Sequence, residues 1–376
     1  MAFLPPHGGN IALASQVYGL SEKEIIDFSA NINPLGPPPK AYEAIIKNLA
    51  LITRYPDPSS RALKEQLSLH IEVPQENILV GNGASEIIYL LTNSIRPKKV
   101  MVMAPTFSEY ALAAKASGAE VIEYSLQRNH DFSYSSDVAA AMNSHQIDLL
   151  FLCNPNNPVG NLIPPHYLAT TIEAARKLGI TVILDESFLD FTGQRNILTM
   201  ARKAVIEKGL IVLYSLTKFY ALPGLRLGCA VSTENTIKFL EENRDPWSVN
   251  VLAQVAGVHA LQDKAFIKQT LDWLDSEKSF LYNKLSNIKG LRPLKPEVNY
   301  ICIELCDPGF NSHDLTYALG KKGFLVRNCA NYSNMGLSFI RIAIKERPHN
   351  ELLLKCLREI CGAFEGEGTN GKILSD

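Results

Sequence analysis

Between about residues 40 and 255, short apolar runs alternate with segments whose apolar residues recur at helical spacing. The runs cover 78–80, 100–103, 121–124, 149–153, 181–184, 210–214 and 228–231, and the clearest helical segments are 85–93 and 165–178. Strands separated by helical crossovers must run mostly parallel, so the pattern predicts a large α/β domain built on a mostly parallel sheet flanked by helices. In open sheets of this kind ligands sit beyond the carboxyl ends of the strands. The residues that follow each run are therefore the ones to inspect for chemistry.

After 78–80 comes GNGASE (81–86), glycines leading into a helix start, where free N–H groups, the helix dipole and the Ser85 hydroxyl suit an anion. An ordinary strand-to-helix turn has the same look. After the next run, PTFSEY (105–110) spaces Phe107 and Tyr110 three apart, so that one ring could stack on a flat heterocycle or both could pack in the core. NPNNPVG (154–160) is a rigid polar turn in which Asn157 can donate to a ring oxygen or a carboxylate. Asp185 ends the fifth run, where a carboxylate can keep a pyridine nitrogen protonated, or can simply be satisfied by backbone donors. The sixth run leads into YSLTKFYALPGLRLG (214–228). Lysine forms Schiff bases with aldehydes, and Ser215, Thr217 and Arg226 supply hydroxyls and a planar cation for a phosphate. Together these residues read as a site for pyridoxal phosphate around Lys218; alone, Lys218 and Arg226 would pass for a solvated lysine and a surface ion-pair partner. Each motif has a commonplace structural use. All of them would have to be coincidental at once, and in sheet order, for no site to exist.

The flanks differ in character. Residues 1–39, rich in Gly, Pro and Asn with one helix expected near 11–18, read as an arm whose polar handles are His7 and Asn31. Beyond 255 a helical stretch to about 288 leads to NYICIE (299–304), a helix near 312–322, FLVRNCANY (324–332), SFIRIAIK (338–345) and a last helix over 350–364. This predicts a smaller C-terminal α/β domain, 256–364, packed with the arm, and a disordered tail, 365–376. Arg327 and Arg341, beside or on strands and flanked by apolar residues, must meet a substrate anion or a structural partner. With 37 Lys and Arg against 38 Asp and Glu, nothing calls for nucleic acid or an anionic membrane as a partner. The 7 cysteines are scattered, without a C-x-x-C pair, and read as reduced core residues of a cytoplasmic protein, with no disulfide framework and no metal site. The first residues lack the basic start and long apolar run of a signal peptide.

The ordered set GNGASE, PTFSEY, NPNNPVG, LDESF, SLTKFYALPGLRLG and FIRIAIK resembles the fold-type I pyridoxal-phosphate enzymes of the aminotransferase class I and II family, over nearly the whole chain. Two subgroups are similar, the histidinol-phosphate aminotransferases and the L-threonine-O-3-phosphate decarboxylases. HGGN (7–10), DFSANINPLG (27–36), PWSVN (246–250) and RNCANY (327–332) match the decarboxylases more nearly, and Phe188 stands where the aminotransferases usually carry tyrosine. The resemblance implies that Lys218 carries the coenzyme as a Schiff base, Asp185 pairs with its ring nitrogen, Asn157 reaches its ring hydroxyl and Tyr110 stacks on the ring. It implies a phosphate held by Ala84, Ser85, Ser215, Thr217 and Arg226, with Tyr55 reaching the phosphate of a second subunit in a homodimer with shared sites. A small phosphorylated amino acid would be gripped by His7, Gly8, Asn31, Asn157, Arg327 and Arg341. For a decarboxylase it would be O-phospho-L-threonine or O-phospho-L-serine, giving (R)-1-aminopropan-2-yl phosphate or ethanolamine phosphate for cobalamin biosynthesis; for an aminotransferase, histidinol phosphate or an aromatic amino acid.

Overall fold

The computed structural model describes residues 7–307, 309 and 311–367. Two compact units divide the chain: one comprises Leu35–Asn157 and Asn161–Asp272, the other Met1–Pro34, Pro158–Gly160 and Trp273–Asp376.

The larger unit is organised by a 7-stranded sheet. Across it the strands run Ile78–Gly81, Gly228–Val231, Leu210–Ser215, Thr181–Asp185, Leu149–Cys153, Lys99–Ala104 and Glu120–Ser125. All seven lie on the apolar runs read from the sequence. Gly228–Val231 is antiparallel to both of its neighbours, and the remaining pairs are parallel. Strands covered on both faces have no polar face to show, so Leu149–Cys153 and Leu210–Ser215 are buried at every position. The edge strand Glu120–Ser125 leaves Glu120, Glu123 and Ser125 exposed, and its charges guard an unpaired edge. The crossover Pro165–Leu178 starts with a proline in its first turn, stops at Gly179 with φ 72°, and buries Leu168, Thr171, Ile172 and Ala175 at helical spacing. One face of the sheet packs Val102, Phe151, Ile183 and Leu213 against Ile87 and Leu91 of the helix Ala84–Ile95 and against Tyr110 and Ala114 of Glu109–Ala116.

The division falls at 34/35 and 272/273 rather than at 39/40 and 255/256. Helix Val251–Gln262 packs on Pro39–Lys47 and Arg61–Ile71, and a Cβ on its Gly257 would lie 2.8 Å from Leu63 Cδ1, so this helix belongs to the larger unit. The helical stretch expected over 255–288 also breaks at Asp263, beyond which a separate helix, Lys264–Leu285, begins.

In the smaller unit, strands Arg327–Asn328, Phe339–Ala343, Tyr300–Leu305 and Leu291–Pro293 form an antiparallel sheet in that order. Ile26–Asp27 pairs in parallel with Phe324–Leu325. The helix Ile11–Tyr18 is held through Tyr18, whose ring occupies the place a Cβ on Gly320 would take and lies 6.1 Å from the ring of Tyr317. The last helix runs Arg347–Glu367, starting earlier and ending later than 350–364, and of the expected tail 365–376 only 365–367 fall among the described residues. Among those residues no helix is long and apolar enough to cross a membrane.

A buried polar cluster ties down the base of the segment that carries Lys218. The Tyr214 hydroxyl donates to Asp190 Oδ2 at 2.6 Å and lies 3.1 Å from His70 Nε2, while Arg195 Nε stands 3.2 Å from Asp190 Oδ1 with its guanidinium 4.7 Å above the Tyr214 ring. Burial, and then the charge of Arg195, push the His70 imidazole down to about 3. The fold therefore holds His70 neutral, whereas the unfolded chain takes up its proton near pH 6.5. The stability this group contributes is full above 6.5 and is lost as pH falls toward 3. Replacing His70 with glutamine should flatten the fall of unfolding free energy between pH 6.5 and 4 by on the order of a few kcal/mol, measured by urea unfolding across that range; equal slopes in the two proteins would remove His70 from the acid response.

Candidate active site

Parallel strands bring their carboxyl ends to one edge of the larger unit's sheet, and of the predicted residues Asp185, Ser215 and Asn157 fall at or just beyond those ends. Gly81 and Ser215 both stand opposite Gly228 in register. The helix Ala84–Ile95 starts beside them at Gly83, whose φ is 83° and which offers no side-chain cap, so the first-turn N–H groups, including those of Ala84 and Ser85, keep their donors for a ligand. A Cβ on Gly83 would lie 2.7 Å from Arg226 Nη2, which places that guanidinium over the helix start. Arg226 is half-buried, has φ 57°, and no described residue hydrogen-bonds or ion-pairs with it. Ser215 and Thr217 are buried; Thr217 N–H donates to Ser215 Oγ at 3.2 Å and Thr217 Oγ1 donates to the Leu227 carbonyl at 3.4 Å. A helix N-terminus, an unpaired guanidinium and hydroxyls make an anion cradle.

Asp185 is 4 % exposed, and Cys153 is its cross-strand neighbour. Its Oδ1 accepts the Ser187 N–H at 2.8 Å and its Oδ2 accepts the Tyr110 hydroxyl at 2.7 Å. Burial raises the Asp185 carboxyl, opposed by hydrogen bonds from Ser187 and Tyr110 and by the charge of Lys218. From 210 to 220 every residue is buried except Lys218, which is half-buried. The asparagines of NPNNPVG divide their work. Asn154 Oδ1 accepts the Ile163 N–H at 2.8 Å, and Asn156 bridges to the preceding crossover, accepting from Thr106 Oγ1 at 3.0 Å and donating to the Pro105 carbonyl at 2.9 Å. These bonds hold Asn157, 8 % exposed, at the strand end.

Tyr110 departs from the expectation that it stacks on a coenzyme ring. It is 0 % exposed, because the first turn of Glu109–Ala116 faces the sheet, and Phe151 covers its ring at 4.9 Å and 9°. Phe107, half-buried, is the ring of that pair that reaches the surface. Tyr55 is 80 % exposed, 4.8 Å from the Trp247 ring.

His7, Gly8, Asn31, Arg327 and Arg341 all belong to the smaller unit. Asp27 Oδ1 accepts from the Ser29 N–H at 2.7 Å and its hydroxyl at 2.6 Å, an Asx turn for which the D-x-S spacing is the sequence signal. The Ser29 hydroxyl oxygen in turn accepts the Gly9 N–H at 2.8 Å, and a Cβ on Gly8 would collide with the Ser29 carbonyl. Arg341 Nη2 donates to that same carbonyl at 2.6 Å. Ser29 thus collects Gly8 and Arg341, while the His7 side chain is exposed. Asn31 is buried, and its Oδ1 has no hydrogen-bond partner among the described residues. Arg327 and Arg341 stand directly opposite one another on adjacent strands, each 5 % exposed. Arg327 donates to the Asn328 carbonyl at 2.6 Å and to Asn331 Oδ1 at 2.8 Å. Like charges placed so repel, and an anion beside them offsets the repulsion. Their field is already felt by Cys329: burial works to raise its thiol, but a hydrogen bond from Cys302 and the charges of Arg341 and Arg327 hold it below the ordinary value.

The family described as Aminotransferase class I and II matches residues 23–355. The chain belongs to that family. It is 38% identical over 359 residues to the threonine-phosphate decarboxylase of Salmonella typhimurium, covering 95% of this chain and 97% of that protein. It is 33% identical over 344 residues to the histidinol-phosphate aminotransferase of Moorella thermoacetica, covering 91% and 86%. The crystal structure of the histidinol-phosphate aminotransferase from Clostridium acetobutylicum superposes with a TM-score of 0.84 at 28% identity, covering 89% of this chain and 99% of that one. The chain has the fold-type I architecture of this family and its pyridoxal-phosphate dependence, and a family structure, the histidinol-phosphate aminotransferase from Sinorhizobium meliloti, was solved in complex with that coenzyme. The residues of the larger unit fit that coenzyme: the cradle at Gly83 and Arg226 suits its phosphate, and the buried Asp185 suits its ring nitrogen.

A Cβ on Gly228 would lie 2.9 Å from both the Ala84 nitrogen and the Tyr214 carbonyl oxygen, two backbone atoms that cannot swing aside. Gly228→Ala should therefore lower unfolding free energy by roughly 1–3 kcal/mol and weaken coenzyme retention, read by thermal melting and by absorbance after dialysis. A variant with wild-type values of both would show that the close passage is not needed.

Proposed function

We propose that this protein is a pyridoxal-phosphate-dependent decarboxylase acting on O-phospho-L-threonine or its close relative O-phospho-L-serine. The observation that carries the phosphorylated-substrate half of the reading is the pair Arg327 and Arg341, two buried guanidinium groups directly opposed across antiparallel strands, an arrangement that suits a dianionic phosphate better than a lone carboxylate. The similarity to a threonine-phosphate decarboxylase and the phenylalanine at 188 support it.

When bound, the coenzyme supplies an electron-poor ring able to accept the electrons of the bond that breaks. In this reading Lys218 Nζ is the point of attachment, and the carboxylate of Asp185 keeps the ring nitrogen protonated. Asn157 donates to the ring hydroxyl, and Phe107 takes the place beside the ring that Tyr110 cannot. Ala84 and Ser85 through their backbone, Ser215 and Thr217 through their hydroxyls, and Arg226 hold the coenzyme phosphate. His7, Gly8, Asn31, Asn157, Arg327 and Arg341 bind the substrate and fix which of its bonds is presented to the ring, which selects loss of carbon dioxide over loss of the α hydrogen. Released when the substrate amine takes its place on the coenzyme, Lys218 Nζ would then be free to return a proton to the α carbon. The product would be the aminopropanol phosphate used in cobalamin biosynthesis, made in the cytoplasm, where free thiols such as those of this chain stay reduced.

The decisive assay incubates the pure protein with pyridoxal phosphate and phosphothreonine, with no keto acid present. Carbon dioxide and a phosphorylated amine should appear, and Lys218→Ala should lose both this activity and the coenzyme's absorbance band. Turnover that depends strictly on 2-oxoglutarate would instead make the protein an aminotransferase, the activity named for the Moorella relative.

The active form in this proposal is a homodimer whose partner is a second copy. Tyr42, Ile46, Leu49, Ile52 and Tyr55 are exposed along 42–55, an apolar stretch that ends at the residue expected to reach the other subunit. Sedimentation equilibrium should show a dimer that Ile52→Asp dissociates; a monomeric wild-type protein would end this part of the proposal.

A further inference from the structure

Tyr110 has its hydroxyl committed to the side chain of another residue singled out in the sequence, Asp185. Its ring is fixed on two sides, stacked on Phe151 at 4.9 Å and meeting Phe107 edge-on at 5.5 Å and 82°. With the ring so held, the hydroxyl donates to Asp185 Oδ2 at 2.7 Å. The neighbouring Cys153 thiol donates at 3.3 Å to the Pro155 carbonyl and also interacts with the Tyr110 hydroxyl. Ser187 N–H serves the other oxygen at 2.8 Å. An acidic side chain that accepts a hydrogen bond in its ionised form becomes a weaker base.

We infer that Tyr110 is a positioning residue which, through its hydrogen bond to Asp185, sets the orientation and basicity of that carboxylate and so how firmly the coenzyme's ring nitrogen keeps its proton. The inference rests on the reading above, in which Asp185 faces the ring nitrogen. The shifts in the two groups agree with it: burial and then the charge of Asp185 raise the Tyr110 hydroxyl well above its usual value, and the bond from Tyr110 is among the influences that restrain the rise at Asp185. Without the hydroxyl the carboxylate becomes a stronger base. The proton shared along the nitrogen-to-oxygen line then moves toward oxygen.

The test uses Tyr110→Phe, which removes one oxygen atom and keeps the ring stacked on Phe151, together with Asp185→Ala and the double variant. Coenzyme affinity is measured by calorimetry on the apoproteins, folding by thermal melting, and ring-nitrogen protonation by the 15N resonance of bound, ring-labelled pyridoxal phosphate. Tyr110→Phe should weaken coenzyme binding about tenfold and shift the 15N resonance toward that of the unprotonated ring. In the Asp185→Ala background the same substitution should change affinity little, because its effect passes through the carboxylate. An unmoved 15N resonance in a folded Tyr110→Phe protein overturns the inference, as does an equal loss of affinity in both backgrounds, which would make the tyrosine a packing residue only. A wild-type protein that forms no Lys218-dependent absorbance band with the coenzyme would bring down the underlying reading as well, a result recognisable before any variant is made.

Discussion

The site depends on a backbone contact that only glycine permits. Where Gly228 starts the strand that runs against both its neighbours, its missing side chain leaves room for the Ala84 nitrogen and the Tyr214 carbonyl, either of which a Cβ would crowd. That closeness lets the strand lie between Ile78–Gly81 and Leu210–Ser215, so a helix start and a serine hydroxyl converge on one point. Arg226, two residues earlier, is turned over the same helix start by a left-handed backbone. Cationic and dipolar groups are thus supplied by segments far apart in the chain and joined by one narrow passage. The gathering of these groups follows from packing before it follows from charge.

The large sheet was legible because a strand buried on both faces has no choice of composition. Each of the seven runs is apolar for that reason, and parallel pairing then dictates that the residues after them share an edge. Asp185, Asn157, Ser215 and Lys218 could be picked out one by one without knowing any contact they make. The fold placed the first three at the strand ends and left Lys218 as the least buried residue of its run.

What escaped the sequence depends on facing and register, which local pattern does not encode. Phe107 and Tyr110 are equally aromatic and three apart; only the docking of the helix Glu109–Ala116 decides that the tyrosine turns inward to Asp185 and the phenylalanine outward. The helix Val251–Gln262 is apolar on several sides, so it read as the start of the smaller domain until its packing on Pro39–Lys47 and Arg61–Ile71 assigned it to the larger one. Arg327 and Arg341 were visible as strand arginines, but their direct opposition needs an antiparallel register fixed by residues elsewhere along the two strands. Asn154, Asn156 and Asn157 are chemically alike in the chain, and only the fold shows the first two tying loops together.

The half-buried state of Lys218 in an otherwise sealed run bears on selectivity among amines. Lysines such as Lys47, Lys177 and Lys268 stand well out in solvent, where an adduct with an aldehyde would be open to water. Here the stem emerges from backbone whose root at Tyr214 is clamped by Asp190, His70 and Arg195. Whatever becomes attached to that nitrogen inherits the rigidity of the sheet, so recognition of a small planar guest need not come from its own contacts alone. Aim is supplied by the tether.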